Sequence, residues 1–191
     1  MTFTTILSIA LGIGLAASAG FRVFLPLFAL SLSAWFGLWP INENWQWLAS
    51  TPALIILGVA TLAEILAYLI PFIDHLLDTI AVPLAGLAGT AVMASTTADL
   101  SPAVTWALAI IAGGGAAAAI KGATATTRVA STATTGGLAN PVVSAAETGT
   151  AVFMTLLSLF VPFAAVAVLL LIAFWLWRKY RTYQRNKIQT V

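Results

Sequence analysis

Gly12-Ile-Gly14-Leu-Ala-Ala-Ser-Ala-Gly20-Phe-Arg22-Val23 returns in altered form about a hundred residues later, as Gly113-Gly-Gly115 through Gly122-Ala-Thr-Ala-Thr-Thr-Arg128-Val129. Each copy is rich in small residues and ends in Arg-Val. Each is followed by an apolar stretch holding one glutamate, Glu64 or Glu147. Small residues let membrane helices approach closely. A charge in hydrocarbon is costly, so it turns inward, pairs, or marks a pathway. The pattern predicts a duplicated membrane unit that places an arginine and a glutamate from each copy in a low-dielectric medium.

Composition supports the membrane. Of 191 residues, 61% are hydrophobic and 7% are charged, and the mean hydropathy is +1.02. A soluble domain of this length needs more polar surface. A membrane helix takes roughly 20 apolar residues, so about six to eight helices or half-helices fit. The fold class expected is an all-α integral membrane protein, in one domain over residues 1–191, with an internal two-fold repeat.

The net charge of +2 does not indicate nucleic acid. Five of the eight basic residues, Arg178, Lys179, Arg181, Arg185 and Lys187, follow the last apolar run. That is the positive-inside signature, and it predicts a basic cytoplasmic tail over 178–191. Weak attraction to anionic lipid comes with it. The absence of cysteine excludes disulfide and thiolate chemistry, and a single histidine excludes a multi-histidine metal site. Ala17-Ser18-Ala19 resembles a signal cleavage motif, but no basic region precedes it, so a retained first helix is expected.

The apolar segments read as 4–19, 21–38, 52–70, 76–94, 102–120, 141–160 and 161–177. The stretch from Trp39 to Trp47 reads as an interfacial loop, where indoles partition. A second loop, 95–102, divides the chain into repeats over about 3–97 and 101–177. Each repeat offers a stretch of about 35 residues broken near its middle by small residues and the Arg-Val pair, then the glutamate helix, then one more apolar helix. An odd number of crossings per repeat makes the repeats inverted, and an even number makes them parallel. Residues 122–135 are small and hydroxylated, which suits either close packing or the wall of a wet cavity.

Leaving aside the tail and the loop acids Glu43 and Asp99, the ionisable groups inside are Arg22, Glu64, Asp74, His75, Asp78, Lys121, Arg128 and Glu147. Arg22, Glu64, Arg128 and Glu147 can meet at the repeat interface. Two Arg–Glu pairs there would fix helix packing. Alternatively the arginines hold an anionic group while a glutamate exchanges protons. Asp74 and Asp78 share a helix face just after Pro71. They favour a helix N-terminus through its dipole, or with His75 they form a cation or proton site. Asn140 before Pro141 reads as the cap of the Glu147 helix, whose free N–H groups would suit an anion. No nucleophile elbow, P-loop or zinc-protease motif occurs, so no catalytic residue, metal or cofactor is assigned.

The chain resembles the bacterial membrane family called domain of unknown function 4126. The resemblance rests on Gly20-Phe-Arg22-Val-Phe-Leu-Pro26-Leu, Ala63-Glu64, and Ile70-Pro71-Phe-Ile-Asp74-His-Leu-Leu-Asp78. It extends to Pro83-Leu-Ala-Gly86, Gly113-Gly-Gly115, Arg128, Asn140 and Glu147. It implies a small polytopic membrane protein, placed in the bacterial inner membrane. The chain departs from the family's pattern at Tyr68-Leu69, where an acidic-basic pair is usual. It departs again at Thr148, where an acid is common, and at Thr134-Thr-Gly-Gly-Leu, where a Ser-Pro-Glu-Pro-like turn is usual. All of these departures remove charge.

The leading expectation is a transporter or channel with an Arg/Glu site, for an anionic solute or coupled to protons or cations. The alternative is a membrane scaffold or lipid-binding protein with structural ion pairs. A membrane enzyme built on Asp74, His75 and Asp78 ranks third, so the chain is expected not to be an enzyme. The expected partners are membrane lipids, a small solute or ion, and further copies of the chain, with no nucleic acid.

Overall fold

The structure, a computed structural model, describes residues 2–188, apart from the side chains at 71, 72, 74–76, 176, 180 and 183–188. All regular structure among these residues is helical.

Local chemistry sets the helix ends. The Thr2 hydroxyl accepts from the Thr5 N–H and starts α1 (Phe3–Ala19). The chain breaks at residues 20–23 and re-enters as α2 (Phe24–Trp35). Asn42 caps a 3₁₀ turn (Glu43–Ala49), and Ser50 caps α3 (Thr51–Ala67), which is bent 67° from that turn. Helix α4 (Pro71–Thr96) begins on Pro71, whose missing N–H is harmless in a first turn.

The second glycine run behaves differently from the first. α5 (Pro102–Leu108) passes through a π-helical turn (Ala109–Gly114) into α6 (Gly115–Thr135), giving one apolar span of 34 residues. The sequence reading expects a break here. The glycines instead widen the helix by a π turn and let it lie against α4. A Cβ on Gly89 would stand 2.5 Å from the Gly113 carbonyl oxygen, so the two backbones touch directly. Gly136, in the left-handed region at φ +64°, ends α6. α7 (Asn140–Phe160) and α8 (Pro162–Ile188) follow.

Among the described residues four helices are long and apolar enough to cross a membrane, or up to five if the bent pair is one span. Helices α1 and α2 are apolar but only 17 and 12 residues long. The first is central nonetheless: residues Gly14 to Ala19 are all buried, and it packs on α2, α4, α6, α7 and α8.

Amphipathicity runs inside out. Helix α7 buries Asn140, Ser144, Glu147, Thr155 and Ser158 and exposes Val152, Phe153, Leu156 and Phe160. Helix α3 exposes Ile55, Ile56, Val59, Leu62 and Leu66 while burying Thr61 and Glu64. Water would not tolerate that arrangement, whereas hydrocarbon requires it. At the start of the tail, Lys179 and Arg181 lie over Trp175 and Trp177, at 5.1 and 5.0 Å from the ring centroids. Such cation–aromatic pairs suit an interface, where both residue types settle.

Candidate functional site: buried charges around Tyr68

The break after α1 delivers Arg22. The N–H groups of Gly20, Phe21 and Arg22 still bond to Ala17 and Ser18 carbonyls, so the arginine leaves from a tied-down turn. Its side chain is 0% exposed and crosses to α7. There Nε donates to Thr148 Oγ1 at 2.9 Å, and Nη2 donates to the Ser144 carbonyl at 2.9 Å and to Ser144 Oγ at 2.6 Å. The other terminal nitrogen, Nη1, is buried with no hydrogen-bond acceptor.

Glu64 comes up from α3 to the same break, but it takes a different partner. Its two oxygens accept from the Val23 and Phe24 N–H groups at 2.8 and 3.0 Å. Those are orphan donors at the start of α2, which has no side-chain cap of its own. The expected Arg22–Glu64 pair therefore does not form. The backbone donors are fixed at contact distance, and the carboxylate satisfies two of them at once.

The second pair does form. Arg128 Nε donates to Glu147 Oε1 at 3.1 Å and Nη2 to Oε2 at 2.5 Å, a two-pronged pair between α6 and α7. Both side chains are buried. Glu147 sits seven residues into α7, roughly 10 Å along the helix from its start.

Tyr68, at the end of α3, joins these parts. Its side chain is only 3% exposed. Arg22 Cζ lies 4.4 Å from the ring centroid, Arg128 Cζ 4.5 Å and Lys121 Nζ 4.9 Å, so three cations share one aromatic ring. Lys121 is 0% exposed, and its ammonium donates to the Phe21 carbonyl at 3.4 Å. Cations near an aromatic face are drawn to its quadrupole, more strongly when water is excluded.

A groove of about 520 Å³ reaches this cluster from outside. Its walls are Asp78 and Thr79 of α4 and Ala125, Arg128, Val129, Thr132 and Ala133 of α6. The small residues of 122–135 thus line a cavity on one side. Elsewhere their hydroxyls are used locally: Thr126, Thr127, Thr134 and Thr135 donate to carbonyls four residues earlier. A second hollow, about 490 Å³, lies at the opposite end of α4, with the loop acids Glu43 and Asp99 and the indoles of Trp45 and Trp106 among its walls.

Asn140 requires a correction. It is the first residue of α7 and not its cap, and its amide Nδ2 donates to Thr132 Oγ1 at 3.2 Å. The Asn140, Val142 and Val143 N–H groups donate to Gly137 and Ala139 carbonyls, and Pro141 has no N–H. That helix start therefore offers no free N–H for an anion. Asp78 faces the groove and acts electrostatically on Tyr68 and Lys121. The side chains of Asp74 and His75 lie outside the described residues. Among the described residues no three His, Asp or Glu side chains gather as metal ligands.

Sequence reasoning left Lys121, Tyr68, Ser144 and Thr148 out of the site. Lys121 carries a signal, being the one lysine before the tail. Tyr68 and Thr148 are two of the positions where the chain lacks the charges common in the family it resembles. Ser144 gives no signal beyond its helical spacing from Thr148 and Glu147.

The class defined here is an all-helical protein of membrane-length apolar helices around a buried charged centre. Residues 9–181 match the family described as Domain of unknown function (DUF4126), and the chain belongs to that family. No curated protein and no solved structure matches the chain.

Proposed function

We propose that the chain is a small membrane transporter or channel for an anionic solute, with its site at the Arg22, Arg128, Glu64 and Glu147 cluster. The groove carries this reading. A charged centre kept only for packing needs no access, yet Arg128 is both a wall of the groove and a member of the cluster. In this proposal the solute enters between α4 and α6, where Asp78 and Arg128 meet it. Coupling of the solute to protons or cations is kept in the proposal. Among the described residues the arrangement offers donors and charge and no nucleophile beside a base, which favours binding over catalysis.

The wider proposal keeps residues 3–97 and 101–177 as repeats of one unit. The support is that each half sends an arginine and a glutamate to one centre. It keeps the bacterial inner membrane and a cytoplasmic C-terminus, supported by the basic end of α8. It also keeps self-association. The support is the exposed face of α6 at Ala123, Thr126, Thr127 and Ala130, which is too polar and small for lipid.

A scaffold or lipid-binding role is the second reading. It is favoured by the closed Arg128–Glu147 pair and by the capping role of Glu64, both of which serve structure. Efflux of acetate, phosphate and chloride from proteoliposomes separates the two. Transport predicts wild-type flux above empty vesicles, falling at least tenfold in Glu147→Gln and Arg128→Ala, on the order expected for loss of one charge-assisted contact. Folded wild-type protein with no flux supports the scaffold. Wild-type flux unchanged in both variants removes the cluster as the site.

A further inference from the structure

We infer that Arg22 and Lys121, both lying against the Tyr68 ring, form the subsite for one small oxyanion, of carboxylate or phosphate type. This rests on the anion-transport reading and adds to it which groups bind the anion.

Two of the described carboxylates nearby are committed to hydrogen bonds, while Glu147 acts electrostatically on both cations, Glu64 on Arg22 and Asp78 on Lys121. Glu147 is taken by both prongs of Arg128. Glu64 is taken by two backbone N–H groups. Asp78 stands on the groove wall. Among the described residues neither Arg22 nor Lys121 has a carboxylate at ion-pair distance. Both are nevertheless wholly buried. The neutral partners do not complete them. Arg22 uses Nε and Nη2 on Thr148 and Ser144 and leaves Nη1 without an acceptor. Lys121 has three donors and one long bond, to the Phe21 carbonyl.

That carbonyl belongs to the peptide joining Phe21 to Arg22, so the ammonium sits at the base of the Arg22 residue. Two buried cations with spare donors, brought together by a helix break and by α6, make a receptor that lacks its acceptor. Guanidinium and ammonium donate and never accept, so the missing partner is an anion rich in acceptor atoms. Carboxylate and phosphate oxygens meet that need in several directions at once. Arg128 borders both the groove and the ring, so the locked Arg128–Glu147 pair separates this subsite from outside.

The test uses the full chain purified in a neutral detergent, with thermal unfolding followed in acetate, inorganic phosphate or chloride at one ionic strength. A ligand of the folded state raises the midpoint with concentration. The inference expects acetate or phosphate to raise it in a saturable way beyond chloride. In Lys121→Met that rise disappears while the anion-free midpoint stays or increases, because an unpaired buried charge is replaced by an apolar chain of similar length. Tyr68→Phe keeps the ring and keeps the rise. A rise with phosphatidylglycerol but not with phosphate supports the subsite and assigns its anion to a lipid headgroup.

An equal rise in chloride overturns the oxyanion class. An undiminished rise in Lys121→Met overturns the subsite, as does no rise with any anion in wild type. Flux without any rise sinks this inference and leaves transport standing. A rise without flux does the reverse.

Discussion

Arg22 and Arg128 end two similar runs of small residues, yet they live differently. Arg128 lies inside a continuous helix and closes on Glu147 with two bonds. Arg22 lies at a helix break. There Glu64 turns to the free N–H groups the break creates, and Arg22 is left with hydroxyls, a carbonyl and the face of Tyr68. A break consumes a carboxylate as a cap; a continuous helix leaves it free to pair. The same pair of residue types thus yields one locked contact and one cation with a donor to spare.

Deleting one carboxylate at a time sharpens that contrast. Glu147→Ala removes the two-pronged carboxylate partner of buried Arg128, and we expect a loss of about 3–5 kcal/mol in reversible unfolding in detergent. Tyr68→Leu removes the ring shared by three cations. It should lose about 2 kcal/mol or more, whereas Tyr68→Phe, with the ring intact, changes little. Glu64→Ala should cost about 1–2 kcal/mol, the scale of a lost helix cap. A loss from Glu64→Ala as large as that from Glu147→Ala would break the comparison. Thr148→Val removes one acceptor from Arg22 and should cost about 1 kcal/mol. Thr127→Ala, on the exposed face of α6, should stay within about 0.5 kcal/mol.

Much of this centre was legible, because charge is rare in an apolar chain and each buried charge announces itself. Arg22, Glu64, Arg128 and Glu147 do gather. Their pairing was not legible, since it depends on which glycine run breaks. Gly20 lies where the chain turns away to start α2. Gly113–Gly115 instead fits a π turn against Gly89, a contact some twenty residues away in sequence and invisible to local pattern. The start of α4 at Pro71 was readable from proline chemistry. Asn140 misled because its place before a proline suggests a cap, while its side chain is drawn to Thr132 across the turn. Tyr68 was visible only as a departure from a charged pattern, and its place between three cations depends on neighbours distant in sequence.

The difference between the two arginines is tested most directly by two double-mutant cycles read by unfolding in detergent. One takes Arg128→Met with Glu147→Gln, the other Arg22→Met with Glu64→Gln. A coupling energy of about 2–3 kcal/mol in the first cycle and below about 1 kcal/mol in the second is expected, since only the first pair shares direct bonds. Equal couplings, or a larger one between Arg22 and Glu64, would contradict the account.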